Sequence, residues 1–308
     1  MPGWTNLLRF DDNSATGSMR TDQLANKSIV VMGGTSGLGF SAAKAFVAAG
    51  ARVVVVGRDK DKTESARAAL GPNCLGMAAD ATDPKAAPAA IQVALGNFNG
   101  FHGLYHVAGG SGRRKGDGPL HELTDEGWDY TLNQNLSSLF YSNRAAVQQF
   151  LRQKSGGSIL NIGSVLGSSP SPHFFSTHAY ASAKAAVVGM TKSAAAYYAR
   201  HNIRFNVLAP ALVATPMSQR AQGDEEILAF ISTKQPLDGG RIGAPSDLDA
   251  AAVYFLSDDS RFVTGQVLSV DGGWSVSEGQ IPGAKLAEPT REPPNLAAKL
   301  FSWWQKIK

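Results

Sequence analysis

The chain has 308 residues, 43% of them apolar and only 18% charged, with 33 glycines. That balance supplies a sizeable core and excludes a disordered or fibrous chain. The net charge of +4 is mild and, apart from Arg113-Arg114-Lys115 and the last dozen positions, the basic residues are scattered, which argues against nucleic-acid binding.

Residues 1–26 are polar and irregular and read as an N-terminal extension. Ile29-Val30-Val31-Met32 is a β-branched run suited to a buried parallel strand. Gly33-Gly34-Thr35-Ser36-Gly37-Leu38-Gly39 follows at once, then an Ala-rich helix over 40–49 stopped by Gly50. Strand, glycine turn and helix start form the context in which free amides and a positive dipole end meet a pyrophosphate. Gly33, Thr35, Ser36, Gly37, Leu38 and Gly39 are therefore candidate dinucleotide contacts.

A second strand over 52–56 ends in Gly57-Arg58-Asp59-Lys60. An acidic residue at that end would bind a ribose 2′-hydroxyl. Here Arg58 offers a planar fork to a 2′-phosphate, Gly57 leaves room for it, and Asp59 comes one step late and points away. NADP(H) is expected in preference to NAD(H). A helix over 60–70 and a strand over 74–78 follow; the only cysteine, Cys74, excludes a disulfide framework or a cysteine metal site within the chain. Asp80 is placed to touch an adenine, and Asp83 suits the cap of a helix beginning at Pro84.

A fourth strand over 103–107 runs into Ala108-Gly109-Gly110. The loop 110–118 is glycine-rich and basic; it reads either as a solvated flap or as a lure for an anionic substrate group. Residues 124–153 predict one long amphipathic helix, capped by Thr124, with Asp125 and Glu126 in its first turn. Asn133 and Asn135 lie inside it, where an asparagine interrupts the ladder and can hold a water.

Residues 158–163 form a short apolar strand, and Ser164 stands at its end. A loop with Pro170, Pro172, His173, Phe174 and Phe175 suggests a pocket wall. No acidic partner lies near His173 or His178 in sequence, so no metal is expected. Tyr180 and Lys184 are four apart in an Ala-rich segment and share a helix face. A free tyrosine, with a pKa of about 10, is a poor proton shuttle near neutrality; an ammonium one turn away favours the phenolate and should lower it. Ser164 could hold the substrate oxygen. The bland reading is an exposed i,i+4 Tyr/Lys pair.

The helix continues to 199, and a strand over 202–208 leads to Ala209-Pro210. Residues 212–240 mix helix formers with Gly and Pro, which suits a lid. A helix over 245–256 and a strand over 266–270 complete the pattern. Seven strands alternating with helices predict a single domain over 27–274: an α/β, Rossmann-like, doubly wound, seven-stranded parallel sheet with helices on both faces. Residues 275–294 read as a linker. Residues 295–308 are amphipathic, with Leu296, Leu300, Trp303, Trp304 and Ile307 on one face and lysines off it. Docking on the same fold or a neighbouring subunit is favoured there over membrane contact or another partner. No apolar run has the length of a signal peptide core or a membrane span, so a cytoplasmic protein is expected.

Taken together, these motifs resemble the short-chain dehydrogenase/reductase family over about residues 27–274. Gly33, Gly37 and Gly39 resemble its Thr-Gly-x-x-x-Gly-x-Gly turn, with Met32 at the threonine position. His106-Val107-Ala108-Gly109 resembles its Asn-Asn-Ala-Gly element with both asparagines replaced. Trp128 and Asn135 have the family's spacing, and Ser164, Tyr180 and Lys184 match its Ser…Tyr-x-x-x-Lys set with a Ser-to-Tyr gap of 16, about three longer than usual for the family. Asn206 to Pro210, Thr215, and Thr264-Gly265 to Asp271-Gly272-Gly273 match further elements.

The resemblance implies hydride transfer between a nicotinamide and a small-molecule carbonyl or alcohol, with Tyr180 as general acid/base. Lys184 would lower the tyrosine's pKa and bind the nicotinamide ribose, Ser164 would orient the substrate oxygen, and Asn135 would hold a relay water. Asp80, Ala81, Ala108, Gly109, Pro210, Val213 and Thr215 would join the cofactor contacts. The Tyr-x-x-x-Lys interval favours carbonyl chemistry over enoyl reduction, and the family's packing implies a homotetramer or homodimer. Two alternatives stay open: an NAD-dependent alcohol or diol dehydrogenase, and a catalytically silent cofactor-binding regulator.

Overall fold

The computed structural model describes residues 22–283. Strand β1 (Ser28–Met32) leads to helix α1 (Gly37–Ala48), β2 (Arg52–Gly57), α2 (Lys60–Leu70), β3 (Cys74–Ala78), α3 (Ala86–Phe98) and β4 (Gly103–His106). Helices α4 (Asp125–Leu132) and α5 (Ser138–Gln153) precede β5 (Gly157–Ile162), α6 (His178–Tyr198) and β6 (Ile203–Pro210). Short α7 (Gln219–Gln222), α8 (Glu225–Lys234), α9 (Asp249–Leu256) and β7 (Val267–Val270) follow. All seven strands are parallel in the order β3-β2-β1-β4-β5-β6-β7. The expected doubly wound sheet is therefore present.

Successive strand residues point to opposite faces, and both faces are covered. Ile29, Val31, Val53 and Val55 pack with Ala42, Phe46, Ala252 and Phe255 from α1 and α9. Val30, Met32, Val54 and Val56 pack with Ala90, Ile91, Ala146 and Phe150 from α3 and α5. Each fully buried Val or Ile contributes roughly 1.5–3 kcal/mol, which explains why these strands read as unbroken apolar runs.

Three boundaries differ from the sequence expectation. Leu24, inside the expected extension, is fully buried, and its N–H donates to the Ala49 carbonyl at 2.9 Å. Residues 275–283, assigned to the linker, include Gln280, whose N–H reaches Thr233 Oγ1 at 2.7 Å, so part of that segment lies on α8. The amphipathic stretch 295–308 falls outside the described residues. The expected single helix over 124–153 is divided by a widened π turn at Asn133–Ser137. Within that turn Asn135 Nδ2 donates to the Thr131 carbonyl four residues back, at 2.9 Å.

A parallel sheet puts the C-terminal ends of its strands on one edge. The loops after β1, β4, β5 and β6 meet there, beside the point between β1 and β4 where the strand order reverses, which is the usual crevice of such sheets.

Candidate active site

The glycine turn closes against that edge. A Cβ on Gly39 would lie 2.1 Å from the Gly33 carbonyl oxygen, and one on Gly33 would lie 2.7 Å from the Ala108 amide nitrogen. Gly33 and Gly37 have φ of +88° and +52°, the left-handed region that side chains disfavour. Ser36 sits at the N-cap of α1 and makes no capping bond. A cradle too tight for side chains, at a helix start whose first amides need acceptors, fits a pyrophosphate. Thr215, after β6, lies across from it: its Cγ2 is 3.3 Å from where a Cβ on Gly37 would be. Val213 is buried and bridges Gly243, which fixes the segment carrying Thr215.

At the end of β2, Arg58 is exposed, and Asp59 caps α2 by accepting from the Asp61 and Lys62 amides, both at 3.0 Å. The acidic side chain is thus committed to the helix. Gly57 differs from the expectation that it makes room for a phosphate. Its missing Cβ is needed by Thr35, whose Cγ2 and Oγ1 would both lie 2.5 Å away. Asp80, after β3, accepts from the Thr82 amide and hydroxyl, which shapes the turn that also carries Ala81.

Ser164, Tyr180, Lys184 and Asn135 are brought together. Ser164 follows β5 and opens a single turn, accepting from the Leu166 amide at 3.2 Å. That turn lies against α6, where a Cβ on Gly167 would be 2.9 Å from the Ala185 amide nitrogen. Ser164 is close enough to Tyr180 to favour its ionised form. Lys184 is buried, donates Nζ to the Ile162 carbonyl at 3.0 Å, and lies 5.5 Å from the Tyr180 ring centroid. A Cβ on Gly109 would be 2.6 Å from Asn135 Oδ1 and 3.9 Å from Lys184 Nζ, so the loop after β4 completes the cluster.

Two expectations about this cluster change. Desolvation pushes the Tyr180 phenol up to about 12, with Ser164 acting in the opposite direction. Lys184 contributes no lowering, and desolvation brings its own pKa down to about 8. Asn135 uses both amide hydrogens on the carbonyls of Thr131 and Gly110, and its Oδ1 accepts from the Gly110 amide at 3.2 Å. It fixes the Gly109-Gly110 backbone and keeps only one lone pair for a water.

Three contributors escape a reading of the sequence. Asp117 is buried, and its carboxylate accepts from the amides of Ala179 and Tyr180, each at 3.0 Å, while the His178 amide donates to the Gly118 carbonyl. Thr177, the local N-cap, makes no such bond, so the tyrosine's helix is capped from a loop 62 residues away. The only hint in sequence was an acid between two glycines in an otherwise basic loop. His106 is fully buried, with Nε2 3.1 Å from the Ala108 carbonyl and Nδ1 2.7 Å from Ser142 Oγ. Burial and then Lys184 push its pKa down to about 3, so the ring is neutral and Nε2–H holds Ala108 in place of the family's asparagine. Trp274 is buried beneath the Phe loop, its Nε1–H donating to the Ser169 carbonyl at 3.1 Å. It packs with Phe175 and Phe230, and Phe174 also touches Phe230.

Replacing Asp117 with Ala strands two first-turn amides of α6. We expect a loss of about 2 kcal/mol, read as a fall of roughly 4–8 °C in melting temperature, with a larger drop in kcat than rise in KM. An unshifted melt and unchanged kcat would remove Asp117 from this role.

A family model described as enoyl-(acyl carrier protein) reductase matches residues 33–275. Momilactone A synthase of Oryza sativa subsp. japonica is 36% identical over 260 residues, covering 82% of this chain and 92% of that protein. The 2-dehydro-3-deoxy-D-gluconate 5-dehydrogenase of Dickeya dadantii is 32% identical, covering 83% of this chain and 98% of that one. The solved structure of a short-chain type dehydrogenase/reductase from Mycobacterium ulcerans superposes with a TM-score of 0.76 at 30% identity, over 83% of this chain and 92% of the other. The chain belongs to the short-chain dehydrogenase/reductase family. It is an NAD(P)(H)-dependent oxidoreductase acting on an alcohol or carbonyl group.

Proposed function

We propose that this enzyme reduces a ketone or aldehyde of a small molecule to the alcohol, with NADP(H) preferred. The observation that carries the reading is the half-buried Tyr180 set beside Lys184, its phenol kept protonated near neutral pH by desolvation. A proton donor is what a carbonyl oxygen needs as it gains charge. The bound cofactor supplies the hydride. Ser164 orients the substrate oxygen and Tyr180 gives it a proton from the hydroxyl. Lys184, between Tyr180 and the Ile162 carbonyl, holds the tyrosine's position and takes the ribose, and Asn135 keeps the Gly109-Gly110 backbone beside it. The glycine turn and Thr215 take the pyrophosphate and nicotinamide ends, with Asp80, Ala81, Ala108, Gly109, Pro210 and Val213 along the same crevice.

The exposed Arg58, with Asp59 tied into the α2 cap, supports the preference for a 2′-phosphate. Calorimetric titration of NADPH and NADH into wild type and Arg58→Ala tests it. NADPH should bind at least about tenfold tighter, and the variant should lose that margin. Equal binding in wild type moves the NAD-dependent alcohol or diol dehydrogenase to first place. Binding of neither leaves a silent scaffold.

A homotetramer or homodimer in the cytoplasm completes the proposal. Phe140 and Leu151 on α5 and Tyr197 on α6 are exposed apolar side chains suited to burial against a second copy. Sedimentation of the same preparation as a monomer would discard that part. Among the described residues no helix is long and apolar enough to cross a membrane.

A further inference from the structure

The fold divides the basic run of the loop after β4. Lys115 turns outward and pairs with Glu126 at 3.3 Å. Arg113 turns the other way, and its Nη2 donates to the Phe174 carbonyl at 3.1 Å. Arg220, from α7, donates Nη2 to the same oxygen at 3.2 Å. Two cations thus converge on one neutral acceptor. Although Arg113 is exposed as a residue, partial burial of its guanidinium and then repulsion from Arg220 lower its pKa, with Asp117 opposing. The Asp117 carboxylate is already engaged by the Ala179 and Tyr180 amides. Neither arginine makes an ion pair with a carboxylate among the described residues.

The three parts come from three loops on one edge of the sheet. Arg113 lies three residues beyond Gly110, which Asn135 holds. Phe174 lies between Ser164 and Tyr180, and Arg220 lies five residues beyond Thr215. Those loops follow β4, β5 and β6, on the same sheet edge as Ser164 and Tyr180. Each guanidinium carries five N–H donors in a fork that matches an oxyanion, and one carbonyl oxygen occupies few of them. An oxyanion placed between the forks would satisfy them and cancel their mutual repulsion, and it would draw α7 toward the loop after β4.

We propose that Arg113 and Arg220 form a two-arginine clamp for an anionic group of the substrate, a carboxylate, sulfonate or phosphate, remote from the carbonyl that reacts. The clamp rests on the reading of Ser164 and Tyr180 as the reacting centre, and it narrows the substrate to an anionic ketone or aldehyde.

Four para-substituted acetophenones that differ only in headgroup test it: methyl 4-acetylbenzoate, 4-acetylbenzoate, 4-acetylbenzenesulfonate and 4-acetylphenyl phosphate. Each is titrated by calorimetry into full-length protein saturated with oxidised cofactor, where ketone binds without reacting. At least one anion should bind tenfold or more tighter than the neutral ester, and its rank identifies the headgroup. The preference should shrink with added salt and vanish in Arg113→Gln/Arg220→Gln, since glutamine keeps a donor for the Phe174 carbonyl but loses the charge. Equal affinity for all four ketones, no binding of any, or a preference that survives the double variant overturns the clamp. Turnover of the same ketones with reduced cofactor is read separately. Turnover without anion preference leaves the reductase reading standing and removes the clamp. Anion preference without turnover keeps the clamp and counts against the reductase reading.

Discussion

Tyr180→Phe lowers turnover by about a thousandfold or more and leaves cofactor affinity within about twofold. The substitution deletes one hydroxyl and keeps the ring that lies 5.5 Å from Lys184 Nζ. Ser164 still accepts from the Leu166 amide, so the turn after β5 holds. What disappears is the proton donor to the substrate oxygen, and general acid catalysis by a positioned group contributes typically 10²–10⁴-fold. The upper part of that range applies because desolvation keeps the proton on the Tyr180 phenol, where a carbonyl oxygen can take it. Steady-state kinetics with calorimetry of cofactor binding measures both halves. Retained turnover overturns the assignment; lost cofactor binding means the hydroxyl holds the nucleotide instead.

Gly39→Ala abolishes nucleotide binding, with a loss of at least about a hundredfold, and costs about 1–3 kcal/mol of stability. The new Cβ would stand 2.1 Å from the Gly33 carbonyl oxygen, 2.9 Å from the Gly33 carbonyl carbon and 3.1 Å from Gly34 Cα. All three are backbone atoms, so no side chain can swing aside, and the turn itself must open. Gly96→Ala in α3 is the contrast, because its Cβ would meet nothing within 4 Å. That change should raise stability by roughly 0.5–1 kcal/mol and leave binding alone. Melting curves and cofactor titrations of the two variants side by side decide the point; equal behaviour would show that close packing of the turn is not what the nucleotide needs.

Much of this site was legible because its parts are local. The glycine turn sits between a β-branched strand and an Ala-rich helix, so chain order alone puts it at a helix N-terminus. Tyr180 and Lys184 fall on one face through an interval of four. Thr124 caps the helix that follows it, as short-range hydrogen bonding predicts. The seven strands were readable because a sheet covered on both faces needs unbroken apolar runs.

Other features needed contacts that no spacing records. The cap of Tyr180's helix comes from Asp117, the two cations of the clamp from Arg113 and Arg220, and the floor of the Phe loop from Trp274, 105 residues beyond the Ser169 carbonyl it bonds. The space at Gly57 belongs to Thr35. The direction of the Tyr180 shift depended on desolvation, which no spacing in the sequence records.

The sequence by itself determined the order of elements, the parallel sheet and the residues available for acid/base chemistry, because each follows from local periodicity, capping and propensity. The tertiary structure alone decided which loops share the sheet edge with Tyr180, which two arginines converge on the Phe174 carbonyl and which protonation state desolvation favours. Those depend on distance and desolvation, and both are set only when strands far apart in the chain are laid side by side.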